Sequence, residues 1–182
     1  YEQYIQDDVD IGVRGTDMLL HAAKEAGVKR FVYTSSLNVY SAHYPERGEF
    51  LRDSDQTLSA EHYGTIKWLA EELCRHYALR QGVRTIVLRF NSVTFPKLWD
   101  EQGRDEENPD FACTRVHIED VAVAVRLALE NERVEWGRCL VTGANPEKRY
   151  DTTTADKLIG FRARYGFEQG RMYRDGEVVD EG

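Results

Sequence analysis

Apolar positions along the chain alternate between helical spacing and strand-like runs. Residues 11–26 repeat apolar side chains at near-helical spacing, which predicts a helix that ends at Gly27. Residues 60–81 give the clearest helical pattern, because their apolar residues form one stripe: Ile66, Leu69, Ala70, Leu73 and Tyr77. Asp120 fits the N-cap of a third helix, which is expected to run to about Glu130.

Short β-rich runs separate the predicted helices, at residues 30–36, 84–90, 115–118 and 138–143. The run at 84–90 is largely apolar, as in a strand buried inside a parallel sheet. The alternation of strand and helix predicts an α/β fold with a Rossmann-like parallel sheet. A surface loop is expected at 41–58, and the polar tail from residue 171 predicts no regular element.

The composition and charge of the chain exclude several classes of partner and site from what we expect. The 182 residues carry a net charge of −8, and their densest charged stretch, 100–110, is acidic, so no nucleic-acid partner is expected. The three cysteines are widely spaced, which predicts neither a disulfide framework nor a metal site and suits a reducing, cytoplasmic setting. No apolar run approaches the ~20 residues that cross a bilayer, so no membrane partner is expected.

Tyr63 and Lys67 form the candidate catalytic pair. Their spacing of four places a phenol and an ammonium on one helix face. A free tyrosine phenol has a pKa of ~10, and a nearby ammonium favours its phenolate form, so such a pair can exchange a proton with a substrate hydroxyl or carbonyl. The spacing alone is common on exposed helices. The hydroxyls of Thr34, Ser35 and Ser36 favour the functional interpretation, because parallel sheets bind ligands at the carboxyl ends of strands.

Five blocks of the chain, taken in order, carry a family resemblance. They are Val13 to Thr16 with Leu19-Leu20, Phe31 to Ser36 with Val39-Tyr40, Tyr63 to Lys67, Val116 to Ala122, and Arg138 to Gly143. Over roughly residues 9–170 they resemble the extended short-chain dehydrogenases/reductases, also called NAD-dependent epimerase/dehydratases. The resemblance implies a single partial Rossmann-like domain over 1–182, truncated at its N-terminus. Residues 91–114 would be a substrate-side loop and residues 144–182 a small C-terminal substrate-side segment.

The resemblance also implies roles for individual residues. Ser36 would hydrogen-bond the reacting substrate oxygen, Tyr63 would be the acid/base, and Lys67 would bind the nicotinamide ribose and favour the phenolate. The implied cofactor is NAD or NADP, bound by Thr34, Ser35, Tyr63, Lys67, Phe90, Asn91, Ser92 and Val93. The implied substrate contacts are Ser36, Leu37, Ser92, Arg104 and Arg115.

Two departures from the family pattern concern the cofactor and the proton path. The family's glycine-rich dinucleotide loop would lie upstream of Tyr1, and Gly12 to Gly15 cannot replace it, because they sit inside a helical pattern. We therefore expect the 182 residues alone to bind dinucleotide weakly and to be inactive. The family often has Asn at the position of Gly12, where it helps a proton relay, so a relay through this position is in doubt.

The resemblance implies an NAD(P)-dependent oxidoreductase or epimerase that acts on a sugar, a sugar acid or a sugar nucleotide. Leu88 to Pro96 is similar to the uronate dehydrogenases, which place a Ser at the position of Ser92, although Leu37 stands where they have an Asn. Two alternatives stay open: a non-catalytic NAD(P)-sensing regulator and a steroid-type dehydrogenase. The expected partner is a small sugar-like substrate, and a homodimer of the full-length parent is compatible with the family.

Overall fold

A computed structural model describes residues 6–43, 50–95, 115–144, 150–168 and 171–179. A π-helical turn at Val9–Arg14 leads directly into the first α-helix. The helices are α1 (Gly15–Glu25), α2 (His62–Gln81), α3 (Ile118–Glu130) and α4 (Thr153–Ile159), and a 3-10 segment spans Leu37–His43. The strands are β1 (Phe31–Ser36), β2 (Thr85–Phe90), β3 (Val93–Thr94), β4 (Val116–His117), β5 (Trp136–Val141), β6 (Tyr165–Glu168), β7 (Arg171–Arg174) and β8 (Glu177–Val178).

The main sheet of the described residues contains β1, β2 and β5, all parallel, with β2 in the centre. Every residue of β2 is buried, as its apolar run predicts. Its side chains alternate between two layers: Val87 packs with Leu20 of α1 and Cys74 of α2, whereas Ile86 and Leu88 pack with residues of α3 and α4. This arrangement confirms the Rossmann-like α/β fold.

The register of the sheet brings the predicted site residues to one edge. Ser36 at the end of β1 is paired with Phe90, and Phe90 is paired with Val141 at the end of β5. Because the strands are parallel, all three residues lie at the carboxyl edge, where sheets of this kind bind ligands. Beyond this edge β3 and β4 form a short parallel pair of their own.

The third predicted helix begins earlier than its pattern suggests. His117 is its N-cap: the backbone there is extended, and Nδ1 accepts a 3.2 Å hydrogen bond from the Glu119 N–H. The prediction of Asp120 as N-cap is therefore wrong. Asp120 is buried in the first turn, and its carboxylate accepts hydrogen bonds from the backbone N–H groups of Arg164 and Tyr165. It ties α3 to the chain that enters β6.

The polar tail forms a small antiparallel sheet of β6, β7 and β8, which its weak pattern did not predict. Its core consists of Tyr165, Phe167 and Met172, which are all buried. Asp175 and Gly176 both have positive φ in the turn between β7 and β8, and this conformation suits an Asp-Gly pair. Alternating apolar residues at 165 and 167 were the available signal for a strand.

The helices α1 and α2, which pack on the same side of the main sheet, are buried along narrower faces than their apolar patterns predict. On α2, Ile66, Ala70 and Cys74 are buried, but Leu69 of the predicted stripe is exposed. On α1, Leu20 and Ala23 are buried while the side chains of Met18 and Leu19 are exposed. No helix in the described ranges is long and apolar enough to cross a membrane.

Candidate active site

The start of α2 places Tyr63 and Lys67 beside the carboxyl end of β1. Tyr63 is 48% exposed, so solvent and ligands can reach this residue. The Lys67 Nζ lies 5.7 Å from the centroid of the Tyr63 ring and donates a 3.0 Å hydrogen bond to the carbonyl oxygen of Thr34. The phenol and the ammonium therefore share one helix face, and the ammonium is attached to the strand that ends in Ser36.

Two opposing effects act on the Lys67 ammonium. Partial burial lowers its pKa, because a low-dielectric surrounding disfavours the charged form. The negative charge of Glu71, one helical turn further along α2, raises that pKa in part. The net result is a lowered pKa, so Lys67 is closer to losing its charge than a lysine in water.

Gly64 lets the helix start approach the segment that follows Ser36. A Cβ at this position would overlap the carbonyl oxygen of Asn38 and the Oγ of Ser59. Asn38 is linked to the same helix start, because its Nδ2 donates a 3.1 Å hydrogen bond to Oε2 of Glu61. The absence of a side chain at 64 thus allows Tyr63, its neighbour, to lie close to the segment that follows β1.

Ser36 is held in a defined orientation at the sheet edge. Its Oγ accepts a 3.1 Å hydrogen bond from the backbone N–H of Asn38. A hydroxyl oxygen that accepts in this way keeps its own hydrogen for a second partner. Ser36 is thereby suited to donate a hydrogen bond to a substrate oxygen placed between β1 and Tyr63.

Apart from Tyr63 and Lys67 on α2, the residues predicted to contact the cofactor lie at or just beyond the carboxyl ends of β1 and β2. Ser35 is buried and its Oγ donates a 2.6 Å hydrogen bond to Oε1 of Glu71, so a cofactor contact there would come from the main chain. Thr34 is exposed, and Phe90, Asn91 and Val93 are buried or half-buried. The carbonyl oxygen of Ser92 accepts a 3.0 Å hydrogen bond from the Val116 N–H. Their roles in cofactor binding stay predictions.

Two of the residues predicted to contact the substrate are buried, and one lies outside the described part of the chain. Leu37 is 1% exposed and packs with Val39 and Tyr40, so any substrate contact there would also be made by the main chain. Arg115 is 4% exposed, and its carbonyl oxygen accepts a 2.8 Å hydrogen bond from the Gly143 N–H. Arg104 lies outside the described residues. No group of three or more potential metal ligands occurs in the ranges that the structure describes.

A buried charge network lies directly beneath this site and was missed from the sequence. Glu71 and Arg89 are both fully buried, and Arg89 donates from Nε to Oε1 (2.9 Å) and from Nη2 to Oε2 (2.5 Å). The Nη1 of Arg89 also donates to the hydroxyl of Tyr40, which donates in turn to the carbonyl oxygen of Asp53. Burial raises the pKa of Tyr40 to about 12. The available signal was an arginine inside an otherwise apolar strand, since a buried charge needs a partner.

Asp53, at the end of this network, is 8% exposed, and neither of its carboxylate oxygens has a hydrogen-bond partner of normal geometry. Burial raises its pKa to about 6. The nearby Leu140 N–H and Thr154 hydroxyl lower that pKa only in part. Burial therefore makes Asp53 a weaker acid in the fold than an aspartate in water.

Gly12, where the family often has Asn, lies in the π-helical turn and faces α2. A Cβ at Gly12 would overlap Cγ2 of Ile66, which is itself buried. The carbonyl oxygen of Gly12 accepts a 2.7 Å hydrogen bond from the Thr16 hydroxyl. A longer polar side chain at residue 12 would therefore require Ile66 to move.

Comparison with known proteins finds both a matching family and individual relatives. The sequence profile of the NAD dependent epimerase/dehydratase family matches residues 1–108. The chain is 33% identical over 81 residues to a UDP-glucose 4-epimerase of Rhizobium meliloti (strain 1021), covering 44% of this chain and 24% of that protein. It is 35% identical over 101 residues to GDP-mannose 3,5-epimerase 1 of Oryza sativa subsp. indica, covering 53% and 26%. The chain thus spans about a quarter of the length of these curated relatives.

Solved structures with a similar fold include a mutated uronate dehydrogenase. Its TM-score is 0.73 at 21% sequence identity, and the match covers 87% of this chain and 54% of that one. At this level of identity the likeness concerns the fold alone.

Proposed function

Because the chain belongs to the NAD-dependent epimerase/dehydratase family, as its ordered blocks predict, we propose that the protein is an NAD-dependent oxidoreductase or epimerase acting on a sugar, a sugar acid or a sugar nucleotide. The observation that carries this proposal is the placement of Tyr63 and Lys67 on one helix face, next to Ser36 at the carboxyl edge of a parallel sheet. These three residues are the proposed catalytic groups.

The described residues fit the nicotinamide end of the cofactor. The Lys67 ammonium, partly buried beside the exposed Tyr63, is a donor suited to the ribose hydroxyls. When bound, NAD supplies the acceptor and donor of hydride. The proposed holding residues are Lys67, Tyr63 and the main chain from Phe90 to Val93. The pyrophosphate end needs further groups, because the chain contains no G-x-G-x-x-G turn.

The proposed proton chemistry follows from the hydrogen bonds. Ser36 donates to the reacting substrate oxygen, which orients the substrate hydroxyl toward the Tyr63 oxygen. Tyr63 takes the hydroxyl proton when the substrate is oxidised and returns it when the carbonyl is reduced. Tyr63 takes this proton as a phenolate and becomes a phenolate again when it returns the proton, and the Lys67 ammonium favours that phenolate form. Solvent reaches the exposed Tyr63, so its proton can exchange with water.

For the substrate class, a uronate is the first candidate. The position of Ser92 directly after β2 and the short stretch from 97 to 114 support it, since little chain is available there for a large nucleotide-sugar domain. The test is to supply the full-length natural protein with NAD and either galacturonate or glucuronate. NADH formation at 340 nm supports the uronate proposal.

The other outcomes of that test separate the alternatives. Faster conversion of a nucleotide-linked sugar without net NADH formation would identify an epimerase instead. NAD binding without turnover of a sugar or a steroid substrate would favour the NAD(P)-sensing regulator. Turnover of a hydroxysteroid alone would favour the steroid-type dehydrogenase.

A homodimer and a cytoplasmic location complete the proposal. The exposed apolar side chains of Met18 and Leu19 on α1 and of Leu69 and Leu79 on α2 support a partner surface on this helical layer. The buried Cys74 and Cys139 are free thiols, which suits a reducing compartment. Light scattering of the full-length protein tests the dimer: a mass equal to one chain would contradict it.

A further inference from the structure

Glu71 joins three elements that border the proposed site: α2, β1 and β2. It lies on α2, one turn beyond Lys67 and two turns beyond Tyr63. Its Oε1 accepts a 2.6 Å hydrogen bond from Ser35, the residue next to Ser36 on β1. Both of its oxygens accept hydrogen bonds from Arg89 of β2, one residue before Phe90. One buried carboxylate therefore fixes the catalytic helix against the ends of both strands.

A contribution to stability alone does not account well for the position of the Glu71–Arg89 ion pair. Burying two charges costs free energy, and well-packed apolar side chains often replace such pairs without loss of stability. Glu71 is fully buried, yet it lies one turn from the ammonium of Lys67 and shares a helix face with it. The negative charge of Glu71 raises the pKa of Lys67 against the effect of burial.

Other titratable and charged groups face Glu71 and Lys67 from each element that packs against them. Those within the described residues are Tyr63 and Cys74 on α2, Tyr33 on β1, Arg89 on β2, Arg138 on β5, Tyr40 of the 3-10 segment, and Asp53. Arg138 is at the outer limit of an ion pair with Glu71, at 3.9 Å. Of these groups, Arg89 makes the closest contacts with the Glu71 carboxylate.

We propose that Glu71 is a positioning residue for the catalytic helix, which keeps Lys67 cationic and holds Ser35, and with it Ser36, in register with Tyr63. This proposal rests on the proposed function of Lys67 and Tyr63, and it extends that function to a residue that does not touch the substrate. Glu71 acts on two groups. Its negative charge favours the cationic form of Lys67, and its hydrogen bond with Ser35 holds the end of β1.

The test measures the protonation of Lys67 directly, without cofactor or substrate. The full-length protein is treated with a trace of acetic anhydride between pH 6 and 10, and acetylation of Lys67 is quantified by peptide mass spectrometry relative to the exposed Lys24. Only the neutral amine reacts. Glu71→Gln removes the charge but keeps an oxygen that can accept from Ser35. The matched control is Glu72→Gln, the same change one residue away, in a half-buried side chain that pairs with Arg75 and lies 4.0 Å from Arg138.

Glu71→Gln should increase Lys67 acetylation several-fold at pH 8, whereas Glu72→Gln should leave it unchanged. Ser35→Ala removes the hydrogen bond and keeps the charge, so it should leave the labelling curve in place while lowering kcat. Should Glu71→Gln fail to fold, because Arg89 is left unpaired, the double variant Glu71→Gln/Arg89→Met removes both buried charges and should still increase acetylation. Equal labelling curves for the wild type and the folded Glu71 variant would overturn the proposal. Since labelling needs no turnover, this result is independent of whether the proposed enzyme activity is found.

Discussion

Ile66 occupies the space that a side chain at Gly12 would need, because a Cβ on Gly12 would overlap Cγ2 of Ile66. The two residues join the π-helical turn at Val9–Arg14 to the catalytic helix α2. π-helical turns often occur at functional sites, and here the turn brings a glycine to the helix that carries Tyr63. The close packing leaves no room for a side chain at residue 12 unless Ile66 moves.

The first prediction concerns this contact. Gly12→Asn should destabilise the protein by about 1–3 kcal/mol, because it overpacks a buried contact. Ile66→Ala should relieve the overlap, so the double variant should lose less stability than the sum of the two single changes. Urea unfolding measures each free energy. Gly15→Asn is the matched control, since a Cβ there meets only the Asp10 carbonyl oxygen, at 3.5 Å. If the losses of unfolding free energy in the two single variants add up in the double variant, a side chain at residue 12 does not overlap Ile66.

The second prediction concerns pH and Asp53. Its folded-state pKa of about 6 lies above the ordinary value of 3.8, so the folded chain binds a proton more tightly than the unfolded chain. The contribution of Asp53 to stability is therefore greatest at low pH and is lost as pH rises from about 4 to about 6. Asp53→Asn should remove this loss and stabilise the protein by about 1–3 kcal/mol at pH 7.

Urea unfolding of the wild type and the Asp53 variant at several pH values measures that difference. The control is Asp55→Asn, because Asp55 is more exposed and its carboxylate accepts a 2.8 Å hydrogen bond from the Arg52 N–H. It should show no gain in stability at pH 7. A difference between wild type and Asp53→Asn that is the same at pH 4 and pH 7 would contradict the assigned burial of this carboxylate.

The third prediction concerns the 182 residues taken alone. We expect titration of NADH into this chain to show no saturable energy transfer from tryptophan at micromolar concentrations, because no glycine-rich turn is available for the pyrophosphate. Among the described strands, β1 pairs only with β2, so its outer edge is open to aggregation. Saturable micromolar binding by a well-folded monomer would contradict this expectation.

Particular residues show how far the sequence predicts the structure. The buried run of β2 and the spacing of Tyr63 and Lys67 were sufficient for the parallel sheet and the shared helix face, since each depends on local periodicity. Glu71 and Arg89 could not be paired in this way, because their contact joins a helix to a strand and leaves no periodic signal. Leu69 belongs to the predicted apolar stripe of α2 yet is exposed, because apolar spacing alone cannot distinguish a core face from a partner surface.

The central claim is that Tyr63 is the acid/base of this protein. Tyr63→Phe removes only the hydroxyl oxygen, and the 48% exposed side chain predicts little effect on folding. With a substrate that the full-length protein converts, kcat should fall by about 10²–10⁴-fold while KM changes little. Tyr77→Phe is the matched control: it lies on the same helix, where its hydroxyl donates to Asp17, and it should keep wild-type kcat. The most direct measurement is kcat of Tyr63→Phe beside that control. A loss of two orders of magnitude or more is the predicted result, and turnover close to the wild type would contradict the proposed mechanism.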